Sequence, residues 1–363
     1  MIEKIVVELK KNPYPILIGK NVLTNFKELL SKYKLDGNLL VIVDENVKKN
    51  YFSKIASEIN STNIKTNYYS LNSGEKSKSY IELNKIYSYL LQNNYGRDSV
   101  IVAIGGGVTG DLAGYASATF MRGVQLIHIP TTLLAAVDSS IGGKTGINFE
   151  KKKNMIGAFY QPKFVLIDTN FIKSLPKSEI TSGIGEIIKY SFLSDEIFFA
   201  YINRNINEIF NLNERVLKEV IFTSAAIKTS VVSNDEKETG LRKILNFGHT
   251  FAHAFETSLN FNIKHGEAVV AGIICALILS NKIGLLNKYK LDEFLTLPLR
   301  VKLPRQLKNL NKEILYNIML HDKKNRNEKI KFVLISDIGK IIIDVEADKN
   351  DVIKAITQME TKI

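Results

Sequence analysis

The chain has one cysteine, Cys275, so it can form neither an intrachain disulfide nor a cysteine metal cluster. That sets a cytoplasmic location as the default expectation. Long apolar runs are also missing. The longest, AVVAGIICALIL from Ala268 to Leu279, is too short to cross a bilayer and reads as a buried helix. The N-terminus, MIEKIVVELKKN, alternates apolar and polar residues as a strand does and has no apolar signal-peptide core. Repeats of solenoid period and low-complexity stretches are absent. So are an arginine-rich tail, zinc-finger spacing and an aromatic RNA-binding signature. The net charge of +12 therefore reads first as a surplus of lysine, and second as a preference for small acidic ligands. Histidine is scarce too: the chain has five, and three of them are His249, His253 and His265.

What is present fits an ordinary globular protein, with 363 residues, 45% of them apolar and 24% charged, enough for one large or two medium domains. In the first half, strand-like runs alternate with helical segments. NLLVIVDENV (38–47) reads as a buried strand ending at Asp44, YIELNKIYSYLLQNN (80–94) as a helix, and SVIVAIGGG (99–107) as a strand running into glycines. VTGDLAGYASATF follows as a helix, and VQLIHIP (124–130) and KFVLIDT (163–169) are further strands. After LPKSEITSG (175–183) helical patterns take over, among them IGEIIKYSFL, ERVLKEVIFTSAAIKTSVV and HTFAHAFETSL. IKFVLIS (330–336) and KIIIDVE (340–346) predict a hairpin. The predicted fold is an α/β N-terminal nucleotide-binding domain with a mostly parallel sheet, residues 1–177, and a mainly α-helical C-terminal domain, residues 178–363. A ligand cleft is expected between them.

Gly105, Gly107 and Gly110 form a G-x-G-x-x-G between a predicted strand and a predicted helix. There glycine lets backbone approach a pyrophosphate, which the helix N-terminus then stabilises. A plain tight turn would use the same residues. The acid that usually follows about 20 residues on, for the ribose hydroxyls, is missing; that region holds Gln125. Asp44 is the better ribose candidate, or else a turn residue closing its strand. The wiring expected is therefore not that of the usual dinucleotide fold.

His249 and His253, in NFGHTFAHAFE, lie four apart, about 40° around a helix, and share a face. HTFAH carries Thr250 where the metalloprotease HExxH has its general-base glutamate, which argues against a protease. His265 opens HGEA at a predicted helix start. Glu186, in GIGEIIKY, has Lys189 three residues on and so on the same face. Two histidines and a glutamate with an open position make a catalytic zinc set. Which two histidines bind is left open by the residues, the i, i+4 pair being the obvious guess. His128 and His321 read as ordinary residues.

The block RGVQLIHIPTTLLAAVDSSIGGKTGINFEKKKNMIGAFYQP, from Arg122 onward, sets Asp138, Ser139, Lys144, Lys153 and Asn154 among glycines and short apolar stretches. Glycine allows close backbone approach, and lysine supplies a point charge for phosphate; the plainer reading is a solvated loop. Together with GGGVTGDLAGYASATFMRG, KNMIGAFYQP, GIGEIIKYSFL, GLRKILNFGHTFAHAFE and HGEAV, this block resembles the 3-dehydroquinate synthase family. These are sugar-phosphate cyclases related to metal-dependent polyol dehydrogenases. The resemblance runs in order from about Asp44 to Ser336.

The resemblance implies conversion of 3-deoxy-D-arabino-heptulosonate 7-phosphate to 3-dehydroquinate and phosphate, a shikimate-pathway step toward aromatic amino acids. Bound NAD takes a hydride from a carbinol, phosphate leaves by elimination, the hydride returns, the ring opens, and an intramolecular aldol step closes the carbocycle. It also implies that Glu186, His249 and His265 hold a divalent metal, zinc or cobalt, while His253 contacts substrate or relays protons. Asp138, Lys144, Lys189 and Asn246 are implied as further catalytic residues, and Arg122, Asn154, Lys228, Arg242 and Lys324 as substrate contacts. Implied NAD contacts are Asp44, then Ser73, Gly74, Glu75, Lys76, Ser77 and Lys78, and the turn Gly107, Val108, Thr109, Gly110 and Asp111. Thr131, Thr132, Lys144, Lys153, and Phe171, Ile172, Lys173 and Ser174 complete that set. Arg122 matches an arginine that reaches the neighbouring subunit, which implies a homodimer; neither nucleic acid nor membrane is expected as a partner. A polyol dehydrogenase, or a sister cyclase acting on another sugar phosphate, would share the NAD and metal parts. Against the former, Lys144, Asn154, Arg122 and Arg242 are more anion-binding groups than a polyol needs.

Overall fold

The computed structural model describes residues 2–150, 152–321 and 329–363. The chain divides into two compact units, Met1–Leu175 with Ile221–Lys237, and Pro176–Val220 with Glu238–Ile363.

The first unit is built on a seven-stranded sheet. Its strands are β1 (Glu3–Val7), β2 (Tyr14–Gly19), β3 (Leu39–Asp44), β4 (Thr66–Leu71), β5 (Val100–Gly105), β6 (Gln125–Pro130) and, after a separate hairpin, β9 (Val165–Asp168). The hairpin is β7 (Lys144–Phe149) with β8 (Lys152–Phe159). The sheet order is β1-β2-β9-β6-β5-β3-β4, parallel throughout except for the β1–β2 pair. Helices α1 (Phe26–Lys32), α2 (Glu45–Asn60), α3 (Tyr80–Gln92), α4 (Gly107–Thr119) and α5 (Thr169–Ile172) accompany it. The near-continuous apolar runs of β3 and β5 follow from burial on both faces. Along β3, Leu39, Val41 and Val43 enter one core cluster with Ile55 and Phe164, while Leu40 and Ile42 enter the other with Leu83 and Leu112. Burying each such side chain contributes roughly 1.5–3 kcal/mol.

The connectivity reverses between β3 and β5. From β3 the chain passes to β4 at one edge, then returns to β5 on the other side and continues outward through β6 and β9. In open parallel sheets a ligand binds outside the strand ends at such a reversal. Here those ends are Asp44 and Gly105.

The second unit holds helices α6 (Lys177–Leu193) and α7 (Glu196–Phe210), the first part of α8 (Glu214–Asn234), and then α9 (His249–Ser258) and α10 (His265–Lys282). A hairpin of β10 (Phe332–Asp337) and β11 (Lys340–Val345) joins them. Phe192 lies 5.1–5.8 Å, ring centre to ring centre, from Phe199, Phe247 and Phe294. Among the described residues, α10 is the one helix long and apolar enough to cross a membrane, yet 78% of it is buried inside the structure. A single cut near residue 177 differs from this division at Ile221–Lys237, which goes with the first unit. Two contacts within that unit tie it there: Glu8 N–H donates to Ser233 Oγ at 3.0 Å, and Lys228 pairs with Asp138.

Candidate functional site

In the second unit, three elements each carry one ligating side chain beside a glycine. Glu186 follows Gly185 on α6, His249 follows Gly248 at the start of α9, and His265 precedes Gly266 at the start of α10. The glycines let the backbones touch. A Cβ on Gly266 would lie 1.9 Å from the Ser182 carbonyl oxygen, and one on Gly185 would lie 2.3 Å from the Gly266 carbonyl oxygen. Gly248 also needs its left-handed φ of 79° to turn the chain into α9.

This packing gathers Glu186, His249 and His265 so that their ligand atoms all lie within 4.8 Å of one another. Glu186 Oε1 is 3.5 Å from His249 Nε2 and 3.3 Å from His265 Nε2. Ligands at tetrahedral zinc, bound at about 2.0–2.1 Å, sit about 3.3–3.4 Å apart. Glu186 is fully buried, and among the described residues neither carboxylate oxygen completes a well-formed hydrogen bond, although Lys189 Nζ lies against Oε2. Lys189 supplies one positive charge at Oε2, while Oε1 converges with the two imidazole nitrogens at metal-ligand spacing, so the donor set fits a divalent metal. His249 Nδ1 faces the Phe247 carbonyl oxygen at 3.3 Å, which leaves Nε2 for the cluster. Burial alone would lower the His265 pKa, but the Glu256 and Glu186 carboxylates hold it up at about 10; a metal would displace that proton. His253 stands beside the cluster, its ring 5.6 Å from that of His249 and perpendicular to it. Arg242 is buried nearby in sequence, and Asn246 donates to Glu238 Oε1 at 2.8 Å.

In the first unit, the glycine turn has no positive φ at Gly105, Gly107 or Gly110. At Gly105 and Gly107 glycine leaves space instead. A Cβ on Gly105 would lie 2.4 Å from Thr109 Oγ1, and one on Gly107 3.0 Å from Ser139 Oγ. Behind the turn sits buried His128, whose pKa burial lowers to about 4. Asp44 caps α2 by accepting from Asn46 N–H at 2.9 Å, and Ser73 Oγ donates to the same oxygen at 2.7 Å. Lys78, itself buried, reaches both Asp111 and Asn154. Burial pushes the Asp111 carboxyl up and the Lys78 ammonium pulls it back. Thr131 N–H donates to the Gly105 carbonyl at 2.9 Å, and Thr132 lies beside Gly106. Lys228 Nζ is 2.8 Å from Asp138 Oδ1 and 2.8 Å from the Asp138 carbonyl oxygen. Lys144 and Arg122 are exposed, Lys153 is half-buried, and Phe171 and Ile172 turn their side chains into the core. Lys324 lies outside the described residues.

The family profile for the N-terminal part of 3-dehydroquinate synthase matches residues 68–182, and that for the C-terminal part matches residues 183–325. A 3-dehydroquinate synthase of Pelagibacter ubique is 40% identical over 358 residues, 96% of each chain. One of Ruminiclostridium cellulolyticum is 41% identical over 353 residues, 96% of this chain and 97% of that one. The chain belongs to the 3-dehydroquinate synthase family. It is thereby an enzyme, a lyase-type cyclase. A crystal structure of 2-deoxy-scyllo-inosose synthase complexed with carbaglucose-6-phosphate, NAD+ and Co2+ is similar at a TM-score of 0.88 and 24% identity, over 98% of this chain and 99% of that one. That likeness shows the fold.

Membership in the 3-dehydroquinate synthase family leaves three residues that sequence reasoning passed over. Asn148 donates to Glu75 Oε1 at 2.8 Å and accepts the Asn154 N–H at 3.0 Å, so it joins two expected contacts. Glu238 is the partner of Asn246. Glu256 stands 3.5 Å from His265 Nδ1. None had a signal beyond residue type, although Glu256 is seven residues from His249 and therefore on its helix face.

Proposed function

We propose that the chain converts 3-deoxy-D-arabino-heptulosonate 7-phosphate to 3-dehydroquinate and phosphate, with bound NAD and one divalent ion, zinc or cobalt. The observation that carries this reading is the buried Glu186–His249–His265 cluster, in a chain 40% identical to a 3-dehydroquinate synthase over nearly its whole length. When bound, NAD supplies reversible oxidation of a carbinol, and the ion supplies Lewis acidity at neighbouring hydroxyl oxygens.

The chain's own residues bind and orient. Glu186, His249 and His265 hold the ion. Lys189 and Asp138 face the substrate hydroxyls, and His253 and Asn246 line the substrate. Lys144, Asn154, Arg122 and Lys324 offer donors to phosphate. Arg242 offers a planar fork and Lys228 a point charge to the substrate carboxylate. In this reading the first unit is the NAD-binding domain and the second the metal- and substrate-binding domain. Asp44, steadied by Ser73, takes the ribose hydroxyls, and the amides of Gly107–Asp111 take the pyrophosphate at the N-terminus of α4. Their position at the strand-order reversal supports this. The stretch Gly74–Lys78, Thr131, Thr132, Lys144, Lys153 and Phe171–Ser174 completes the cofactor contacts, with Phe171 and Ile172 acting through backbone.

The reading includes a homodimer in the cytoplasm, in which Arg122 serves the neighbouring copy. Met121 and Arg122 both adopt left-handed φ, 50° and 66°, a costly turn, and Arg122 is exposed. On the same unit Met121, Phe149, Met155 and Phe159 are 42–45% exposed, apolar surface that a second copy would cover. Sedimentation as a monomer at working concentrations would remove this part. For the activity itself, the test is phosphate release from the heptulosonate phosphate with no net NADH, stopped by a chelator. Net NADH from a simple polyol, without phosphate release, would instead mark a dehydrogenase.

A further inference from the structure

We propose that Glu256 is a positioning residue that fixes His265 as a metal ligand, an inference that rests on reading the Glu186–His249–His265 cluster as a metal site. His265 is the first residue of α10, and its side chain is 28% exposed, against 12% for His249 and none for Glu186. It is the ligand least confined by its surroundings. Its ring stands between two carboxylates, one at each nitrogen. Nε2 is 3.3 Å from Glu186 Oε1, and Nδ1 is 3.5 Å from Glu256 Oε1.

The two carboxylates differ in role by position. Glu186 also faces His249 Nε2, so it lies where all three ligand atoms converge. Glu256 touches His265 from the far side. It comes from the last turns of α9, two helical turns beyond His249, so the helix that supplies one ligand also supplies the brace for the next. Its side chain is only 4% exposed, and a carboxylate is taken out of water at a cost that a charged or hydrogen-bonding partner must offset. Phe261 N–H donates to the Glu256 carbonyl oxygen at 2.7 Å and closes the chain just after the helix, which holds the residue in place.

His249 has a neutral counterpart, since its Nδ1 faces the Phe247 carbonyl oxygen. A carboxylate at the same place does more. It fixes the tautomer with the proton on Nδ1, sets the ring plane, and makes Nε2 a stronger donor to a cation.

The test uses metal-stripped full-length protein. Cobalt affinity is measured by chelator competition and the visible cobalt spectrum is recorded, for wild type, Glu256→Gln and Glu256→Asp, with His265→Ala as the reference for a lost ligand. The expected result is cobalt affinity weaker by about 10–100-fold in Glu256→Gln, with altered cobalt bands and partial recovery in Glu256→Asp. NAD affinity should be unchanged, and the metal-free melting temperature should stay within about 2 °C of wild type. Cobalt affinity within about twofold of wild type overturns the proposal. So does weakening in both variants that tracks lost NAD binding and a lowered melting temperature, because that is a folding defect. If Glu256→Gln does not fold, Glu256→Asp decides alone by the same criteria. Wild type that binds no cobalt defeats the metal reading itself and this proposal with it; wild type that binds while the variants match it defeats only the proposal.

Discussion

His249 and His253 look equivalent on a helical wheel, yet their surroundings differ. His249 has one nitrogen against a backbone carbonyl and the other toward Glu186; the His253 ring stands edge-on to that of His249. The expected outcome is that His265→Ala loses bound metal, while His253→Ala keeps it and turns over about 10²–10⁴-fold more slowly. Metal analysis giving the reverse would contradict the assignment. His128 makes a separate prediction. Burial lowers its folded pKa to about 4 from an ordinary 6.5. The unfolded chain therefore binds the extra proton first as pH falls. The associated stability is fully present above pH 6.5 and is lost as pH falls through the folded value, up to about 3 kcal/mol. Denaturant unfolding from pH 7 to pH 4 should show this slope in wild type, and much less of it in His128→Gln. At this scale the motif residues were legible, because a histidine cluster and a glycine-flanked glutamate are rare. The spacing alone pointed to the i, i+4 pair, whereas the structure takes the cluster's third atom from the start of the next helix. Glu238 and Glu256 were not legible, since an acidic residue in a bend, as Glu238 is, or on a helix, as Glu256 is, is common and its partner comes from folding.

At the level of elements, helices α6 and α10 meet backbone to backbone at Gly185 and Gly266, and the ligands are the very next residues. Gly266→Ala would place a Cβ 1.9 Å from the Ser182 carbonyl oxygen, which no side-chain rotation relieves. It should cost about 1–3 kcal/mol or more and lower metal content together with the melting temperature. An unchanged melting curve would contradict this account of the helix crossing. The glycine turn teaches a related lesson. Sequence marked Gly105, Gly107 and Gly110; φ is ordinary at all three, and crowding by Thr109 explains Gly105 and by Ser139 Gly107, whereas a Cβ on Gly110 would make only ordinary contact with His128. Strands β3, β5, β6 and β9 were readable from their apolar runs and β1 from its alternation, whereas β2 and β4 (TNYYSL, mostly half-buried) were not read. The β7–β8 hairpin was not readable either: Ile147 is buried in the core with Ile156 against it, but Phe149, Met155 and Phe159 are exposed, so the apolar period is weak and the glycine- and lysine-rich block reads as a solvated loop.

For the whole molecule, the sheet order supplies what the usual acid after the glycine turn would have indicated. With the reversal between β3 and β5, Asp44 at the end of β3 lies at the strand end beside the glycine turn, which is where the proposed ribose contact would come from in place of an acid near Gln125. The sequence changes pattern near residue 177, and the first division of the chain falls after Leu175. The return of Ile221–Lys237 to the first unit was not readable, because a helix's partner cannot be read from its own periodicity. Family membership and the gathered Glu186–His249–His265 cluster together commit the enzyme to a redox-neutral, metal-dependent phosphate elimination. The most direct measurement follows phosphate and absorbance at the NADH band in one cuvette, with purified enzyme, NAD and the heptulosonate phosphate. Phosphate should appear over many turnovers with no accumulating NADH, and stripping the metal should abolish it until zinc or cobalt is restored. NADH rising in step with phosphate, or full activity in the metal-stripped enzyme, would contradict the account.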